Sequence, residues 1–144
     1  MHQHVESSTL LAIPFALLLT IAATPNSVAQ TPDCSDSGQL TQLAMNFCAK
    51  QDFDAADAEL NATWKSVFPE IKSRASGSDD NPQKDWPSLV LKAQRNWIDF
   101  RDAHCDSVSI AYRGGSIEPL IYHSCRAELT RRRTAQLKSF VEER

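Results

Sequence analysis

"YRGGSIEPLIYHSC", residues 112–125, sets two adjacent glycines and a serine between two segments with helical patterning. Glycine readily takes the left-handed backbone that ends a helix, and serine is a favoured N-terminal cap. Gly114 or Gly115 therefore closes one helix and Ser116 opens the next. Pro119 fits the first turn of that second helix, where its missing N–H costs no hydrogen bond. Two helices joined so tightly return antiparallel. Cys105 and Cys125 each lie about eight residues from the turn, so at ~1.5 Å per residue both stand ~12 Å from it. They are level, and a bridge between them would clamp the hairpin.

Upstream, Val90, Ala93, Trp97, Phe100, His104, Val108 and Tyr112 recur at helical steps, with Arg95, Asp99, Asp102 and Asp106 opposite. This is an amphipathic helix whose apolar stripe is expected to face the core, with Pro87 tolerated as its first residue. Residues 73–86, rich in Ser, Gly, Asp, Asn and Pro, form a long loop. Before it, "DFDAADAELNATWKSVF" (residues 52–68) places Phe53, Ala56, Leu60, Trp64 and Val67 at helical spacing. Asp52 is expected to cap this helix and Pro69 to kink or end it. "QLTQLAMNFCAK" (39–50) is a separate short helix carrying Cys48, and "TPDCSDSG" (31–38) is a run of turn formers. There is no strand pattern and no internal repeat. The expected fold is all-α, a small disulfide-stapled bundle of three to four helices with a C-terminal antiparallel helical hairpin.

At 144 residues, the chain suits one such domain preceded by a leader. "LLAIPFALLLTIAA" (10–23) is an unbroken apolar run followed by Ser27-Val28-Ala29, the small-residue pattern of a secretory cleavage site. The run is shorter than the ~20 residues that span a bilayer. Residues 1–29 are thus expected to be a signal peptide and 30–144 the exported domain, although His2, His4 and Glu6 replace the usual basic residues before Leu10. Cys34 follows Thr31-Pro32-Asp33, which is not a lipid-attachment context, so no membrane anchor is expected after cleavage.

All four cysteines, Cys34, Cys48, Cys105 and Cys125, lie after the leader. An even number in a small exported chain indicates two disulfides, and Cys34 with Cys48 would pin the N-terminal segment to its first helix. Chain-entropy arithmetic gives about 3 kcal/mol per bridge. His104 beside Cys105 and His123 near Cys125 match no common zinc spacing, so neither a metal nor another cofactor is expected.

The net charge of −3 is near neutral, but acids concentrate before Lys92 and bases after Arg126, in "RAELTRRRTAQLK". Without interleaved aromatics, in an exported protein, that run reads as a solvated helix face and not as a nucleic-acid site. Asp57, Arg101 and Arg133 fall within apolar stripes. A core-facing charge must be paired, so Asp57 is expected to bond Arg101 or Arg133 and fix helix register.

Catalysis finds little support. Ser116 with His123 could be drawn as part of a triad, but Ser116 lacks the strand-to-helix elbow that exposes a hydrolase serine and suits a cap. His104 reads as a core histidine. Glu59 and Glu70 lie near one helix face, whereas a glycosidase pair must flank a bound sugar.

"MNFCAKQDFDAADAELNATW" (45–64), "QRNWIDFRDAHC" (94–105), "GGSIEPLIYHSC" (114–125) and "LTRRRTAQL" (129–137) together resemble the LprI-type lysozyme inhibitor domain. The cysteines, Trp97, Arg101, Gly114-Gly115-Ser116 and Arg133 carry the resemblance. It implies a helical, periplasmic or secreted domain that binds lysozyme. On that reading the partner meets Tyr112, Arg113, Gly114, Gly115 and Ser116. Arg113 would contact a carboxylate of the cleft and Ser116 would be a second donor, while Glu118 opposes an acidic partner. The loop at 73–86 is a rival surface. The alternative function is an interaction or envelope-stress module that binds another envelope protein or a peptidoglycan fragment.

Overall fold

A computed structural model describes residues 31–35, 38, 40–77 and 80–142, so the leader expected over residues 1–29 lies outside the described part. Three helices build the domain: α1 (Gln42–Arg74), α2 (Trp86–Ser109) and α3 (Glu118–Glu142), with a 3-10 turn (Ile110–Tyr112) extending α2. No strand occurs among the described residues, and the class is all-α as expected. The chain runs up, down and up. α1 and α3 pack along each other extensively, α2 rests mainly on α3, and α1 and α2 touch little. None of the described helices is long and apolar enough to cross a membrane.

The two helices expected on either side of Asp52 are one continuous element. Thr41 caps it, its hydroxyl accepting the Ala44 N–H at 3.2 Å. Asp52 lies mid-helix and its carboxylate is engaged by Arg131 of α3, so its side chain serves an interhelical contact instead of a local cap. Pro69 also lies inside the helix, which continues to Arg74. It occupies an exposed position, and the carbonyl of exposed Lys65, which loses its N–H donor there, can turn to solvent.

α2 corrects the sequence reading most sharply. Its buried residues are Val90, Gln94, Arg101, Cys105 and Ser109. Ala93, Phe100, His104, Val108 and Tyr112 of the expected apolar stripe are exposed, and His104 stacks on Phe100 at the surface with centroids 5.4 Å apart. The helix has rotated so that a disulfide and a guanidinium, not the aromatic stripe, face its neighbours. Its α-helical part also stops at Ser109 instead of Tyr112.

Along its axis the bundle has three kinds of interior. At the end remote from the α2–α3 turn, Val67, Ile71 and Val90 are buried against Trp64, Trp86, Phe140 and Val141. In the middle, arginines alternate with rings: Arg133 over Trp97 (6.0 Å), Arg101 between Trp97 and Phe53 (5.2 Å each), and Arg126 between Phe53 (3.8 Å) and Tyr122 (5.2 Å). Near the turn, the elements are held by covalent cross-links. Cys105 joins Cys125 and Cys34 joins Cys48, each pair with Cα atoms 5.6 Å apart.

Arg101 is the hub of the middle layer. Its Nη1 lies 3.1 Å from Asp57 Oδ1 on α1 and 3.4 Å from the Thr130 hydroxyl on α3, and its Nε donates to Asp102 at 2.9 Å. Asp102 in turn pairs with Arg126 of α3 at 3.1 Å. Arg133 does not reach Asp57: its Nε donates to Gln94 at 2.9 Å and its Nη1 to Gln136 at 3.3 Å. The basic run therefore divides. Arg131 and Lys138 bind Asp52 and Glu59 of α1, and Arg132 binds Glu128 within α3. Arg126 and Arg133 turn inward, against the expectation of a wholly solvated face.

The hub yields a stability test. Arg101→Ala leaves Asp57 and Asp102 without their shared cation and is expected to cost about 3 kcal/mol. Asp57→Ala spares the Asp102 contact and should cost about 1–2 kcal/mol. Urea denaturation of both variants and the double mutant measures the coupling, and an unchanged midpoint in Asp57→Ala refutes a register role for the pair.

Candidate functional site

Where α2 ends, the backbone turns through a small set of hydrogen bonds. The Arg113 N–H donates to the Ile110 carbonyl (3.2 Å), Gly115 N–H to Tyr112 (2.9 Å) and Glu118 N–H to Gly115 (3.2 Å). Gly114 has φ +77°, the left-handed conformation expected for one of the two glycines. A Cβ on Gly115 would stand 3.1 Å from the Tyr112 carbonyl oxygen, so the second glycine is a steric requirement of the same turn.

Ser116 does not start the last helix, which begins at Glu118. Its carbonyl instead accepts a hydrogen bond from Asn46 Nδ2 of α1 at 2.8 Å, tying the loop between α2 and α3 to the first helix. Glu118 faces back into the loop, where its carboxylate accepts the Gly114 N–H at 2.8 Å. The acid expected to oppose an anionic partner is thus partly committed to holding the turn. Neither Asn46 nor Glu118 carried a sequence signal for these roles, because both bonds depend on how the helices are arranged.

Tyr112, Arg113, Gly114, Gly115 and Ser116 are all exposed. The Arg113 guanidinium has no ion pair or hydrogen bond among the described residues. Large apolar side chains are exposed at the same end of the bundle: Leu43 (79%) and Phe47 near the start of α1, and Val108, Ile110 and Tyr112 near the close of α2. Leu43 and Phe47 stand four residues apart in α1, a spacing that was legible in the sequence as one helix face.

Two shallow clefts flank the loop. One, of about 280 Å³, is lined by Asp106 and Ser109 of α2 and by Glu118, Pro119, Tyr122 and His123 of α3. The other, of about 360 Å³, has the Cys34–Cys48 bridge, Leu40, Met45 and Leu120 in its walls. His123 stacks on Phe53 at 6.3 Å and meets the edge of Tyr122 at 5.3 Å, and its Nδ1 is buried without a hydrogen-bond partner. Burial lowers its pKa below the ordinary imidazole value, and Arg126 and Lys50 add to the effect against a weaker pull from Asp54.

The residues weighed for catalysis do not converge. No hydrogen bond links Ser116 to His123 among the described residues. Glu59 is bound to Lys138 at 2.9 Å, and that bond holds its carboxyl below the usual range. Glu70 is bound to Arg74 at 2.9 Å. The rival loop lies at the opposite end of the bundle, and it is shorter than expected because Ser73 and Arg74 belong to α1 and Trp86 to α2. Asn81 organises it, its Nδ2 donating to the carbonyls of Arg74 and Ser76 at 3.1 Å each.

This geometry occurs in a chain whose residues 34–137 match the family model for lysozyme inhibitor LprI. The chain belongs to the LprI family. The matched span runs from the first cysteine to the end of the buried α3 face, so it contains both disulfides, the arginine–aromatic layer and the loop. The chain is similar to the uncharacterized protein R02472 of Rhizobium meliloti (strain 1021), with 40% identity over 129 residues, 88% of this chain and 91% of that one. It is also similar to the uncharacterized protein YecT of Escherichia coli (strain K12), with 24% identity over 92 residues, 62% of this chain and 57% of that one. No solved structure matches.

Two measurements test the site's construction. Nothing lies within 4 Å of a Cβ built on Gly114, so Gly114→Ala should lose only the left-handed backbone preference, about 1 kcal/mol in urea denaturation. His123 binds its proton less readily folded than unfolded, so its contribution to stability is complete above the unfolded value of about 6.5 and is lost as pH falls through that value toward the folded one. The melting temperature should therefore decline on acidification below about pH 6.5, and His123→Gln should flatten that part of the profile.

Proposed function

We propose that this domain is an exported, non-catalytic binding protein whose target is lysozyme, and that it engages the enzyme with the bundle end carrying residues 112–118. One observation carries the reading: an unpartnered guanidinium, Arg113, belongs to an exposed, hydrogen-bonded turn at the bundle end that also exposes Leu43, Phe47, Ile110 and Tyr112. A braced tip that offers a cation and exposed apolar side chains suits the extended groove of a glycosidase, whose catalytic carboxylates a guanidinium can bind through paired hydrogen bonds. The turn is braced by Glu118 and Asn46, so little backbone freedom remains to be lost on binding.

The family membership supports lysozyme as the partner, and the two disulfides suit an oxidising compartment such as the periplasm or the cell exterior. A second reading, an interaction module for another envelope protein or a peptidoglycan fragment, draws on the exposed side of α2. There Leu89 and Phe100, eleven residues apart and so on one helix face, are exposed, well away from the loop.

A turbidity assay of cell-wall lysis decides between them. The oxidised protein should inhibit lysozyme stoichiometrically, and Arg113→Ala should weaken inhibition about ten- to a hundredfold, the loss expected for a hydrogen bond to a charged group. Phe100→Ala should leave inhibition unchanged. Failure to inhibit lysozymes of several types, with the fold intact by circular dichroism, rejects lysozyme as the target.

A further inference from the structure

The cleft between the end of α2 and the start of α3 has a one-sided hydrogen-bonding character. The Asp106 carboxylate has no partner among the described residues, since the bonds Asp106 accepts, from Ser109 Oγ at 3.2 Å and from the Ile110 N–H, go to its backbone carbonyl. The Glu118 carboxylate accepts the Gly114 N–H through Oε2, and no bond engages its other oxygen. His123 also lines the cleft, and burial with the nearby Arg126 lowers its pKa below the ordinary imidazole value. Pro119 and the Tyr122 ring supply apolar wall. Unused acceptors thus line a space of about 280 Å³ that carries negative charge and is at the small end of ligand sites.

We infer that this cleft receives a basic side chain, lysine or arginine, from the protein partner that the neighbouring loop engages. The ammonium or guanidinium lies between Asp106 and Glu118, and the alkyl stem lies along Pro119 and Tyr122. Charge complementarity favours this occupant: an anion would meet two carboxylates, and an apolar side chain would leave both acceptors dry and unpaired. A long basic side chain satisfies carboxylate and wall together, because its stem is apolar and its head is charged. The loop and the cleft then act as opposite halves of one contact, with Arg113 offering a cation and the cleft accepting one. Such pairing fixes the orientation of the partner as well as its affinity. The inference rests on the reading that this end of the bundle meets a protein, but it does not need that protein to be lysozyme.

Two probes separate the claims. In an NMR titration of the oxidised domain, hexalysine should shift resonances of Tyr122, His123 and Gly114, and Nα-acetyl-lysine amide should shift the same set more weakly. Its Nε-acetylated counterpart should not. Asp106→Asn, whose side chain makes no bond in the free domain, should weaken the hexalysine response about tenfold without altering the fold. Identical titrations of wild type and Asp106→Asn, or shifts spread over the acidic surface instead of the cleft, overturn the inference. So does a response to calcium or magnesium ions that displaces the lysine probe.

Lysozyme inhibition is read in parallel. If Arg113→Ala abolishes inhibition while Asp106→Asn leaves it intact and no lysine shifts appear, the loop reading stands and the cleft falls. If the cleft binds lysine but no lysozyme is inhibited, the cleft stands and the target is another protein.

Discussion

Arg101 sets the constraint on which the bundle depends. Its side chain is 6% exposed, and it must find acceptors inside a three-helix interface or leave a charge dry. It finds them on all three helices at once: Asp57 on α1, Asp102 on its own helix and Thr130 on α3. Trp97 and Phe53 cover its faces, and Phe53 passes the stack on to Arg126. Oily helices can slide or rotate against one another with small changes in energy. A guanidinium held by directional bonds from three elements cannot, so the layer around Arg101 sets the rotation of α2 and, with it, which residues reach the surface.

That rotation accounts for the largest departure from the sequence pattern. Trp97, Phe100, His104 and Val108 form a convincing apolar stripe, and helical periodicity alone turns it inward. The structure buries Gln94, Arg101, Cys105 and Ser109 instead, because a cross-link to α3 and an arginine with three sets of acceptors outweigh the area gained by hiding Phe100. Periodicity measures where apolar groups lie on one helix and carries no information about partners on the others. The same limit explains Asp52, whose value as a cap could be judged from its neighbours but whose bond to Arg131 requires the fold.

What could be read in advance was local or covalent. The glycine turn, the antiparallel hairpin, the helical class and the level placement of Cys105 with Cys125 follow from spacing and backbone preference. The candidate loop was found because glycines announce it. The groups that shape and flank it were not, since Asn46 arrives from α1, and Asp106 and His123 line one cleft only after α2 and α3 have folded back on each other.

Both disulfides lie near the turn, whereas the remote end relies on a small cluster around Ile71 and Val90. The molecule is therefore graded in durability along its length. Thermal fraying or a trimming protease would begin where only side-chain packing holds the helices, and damage there would reach the glycine turn last. Such placement lets the cross-linked tip outlast the erosion of its own stem.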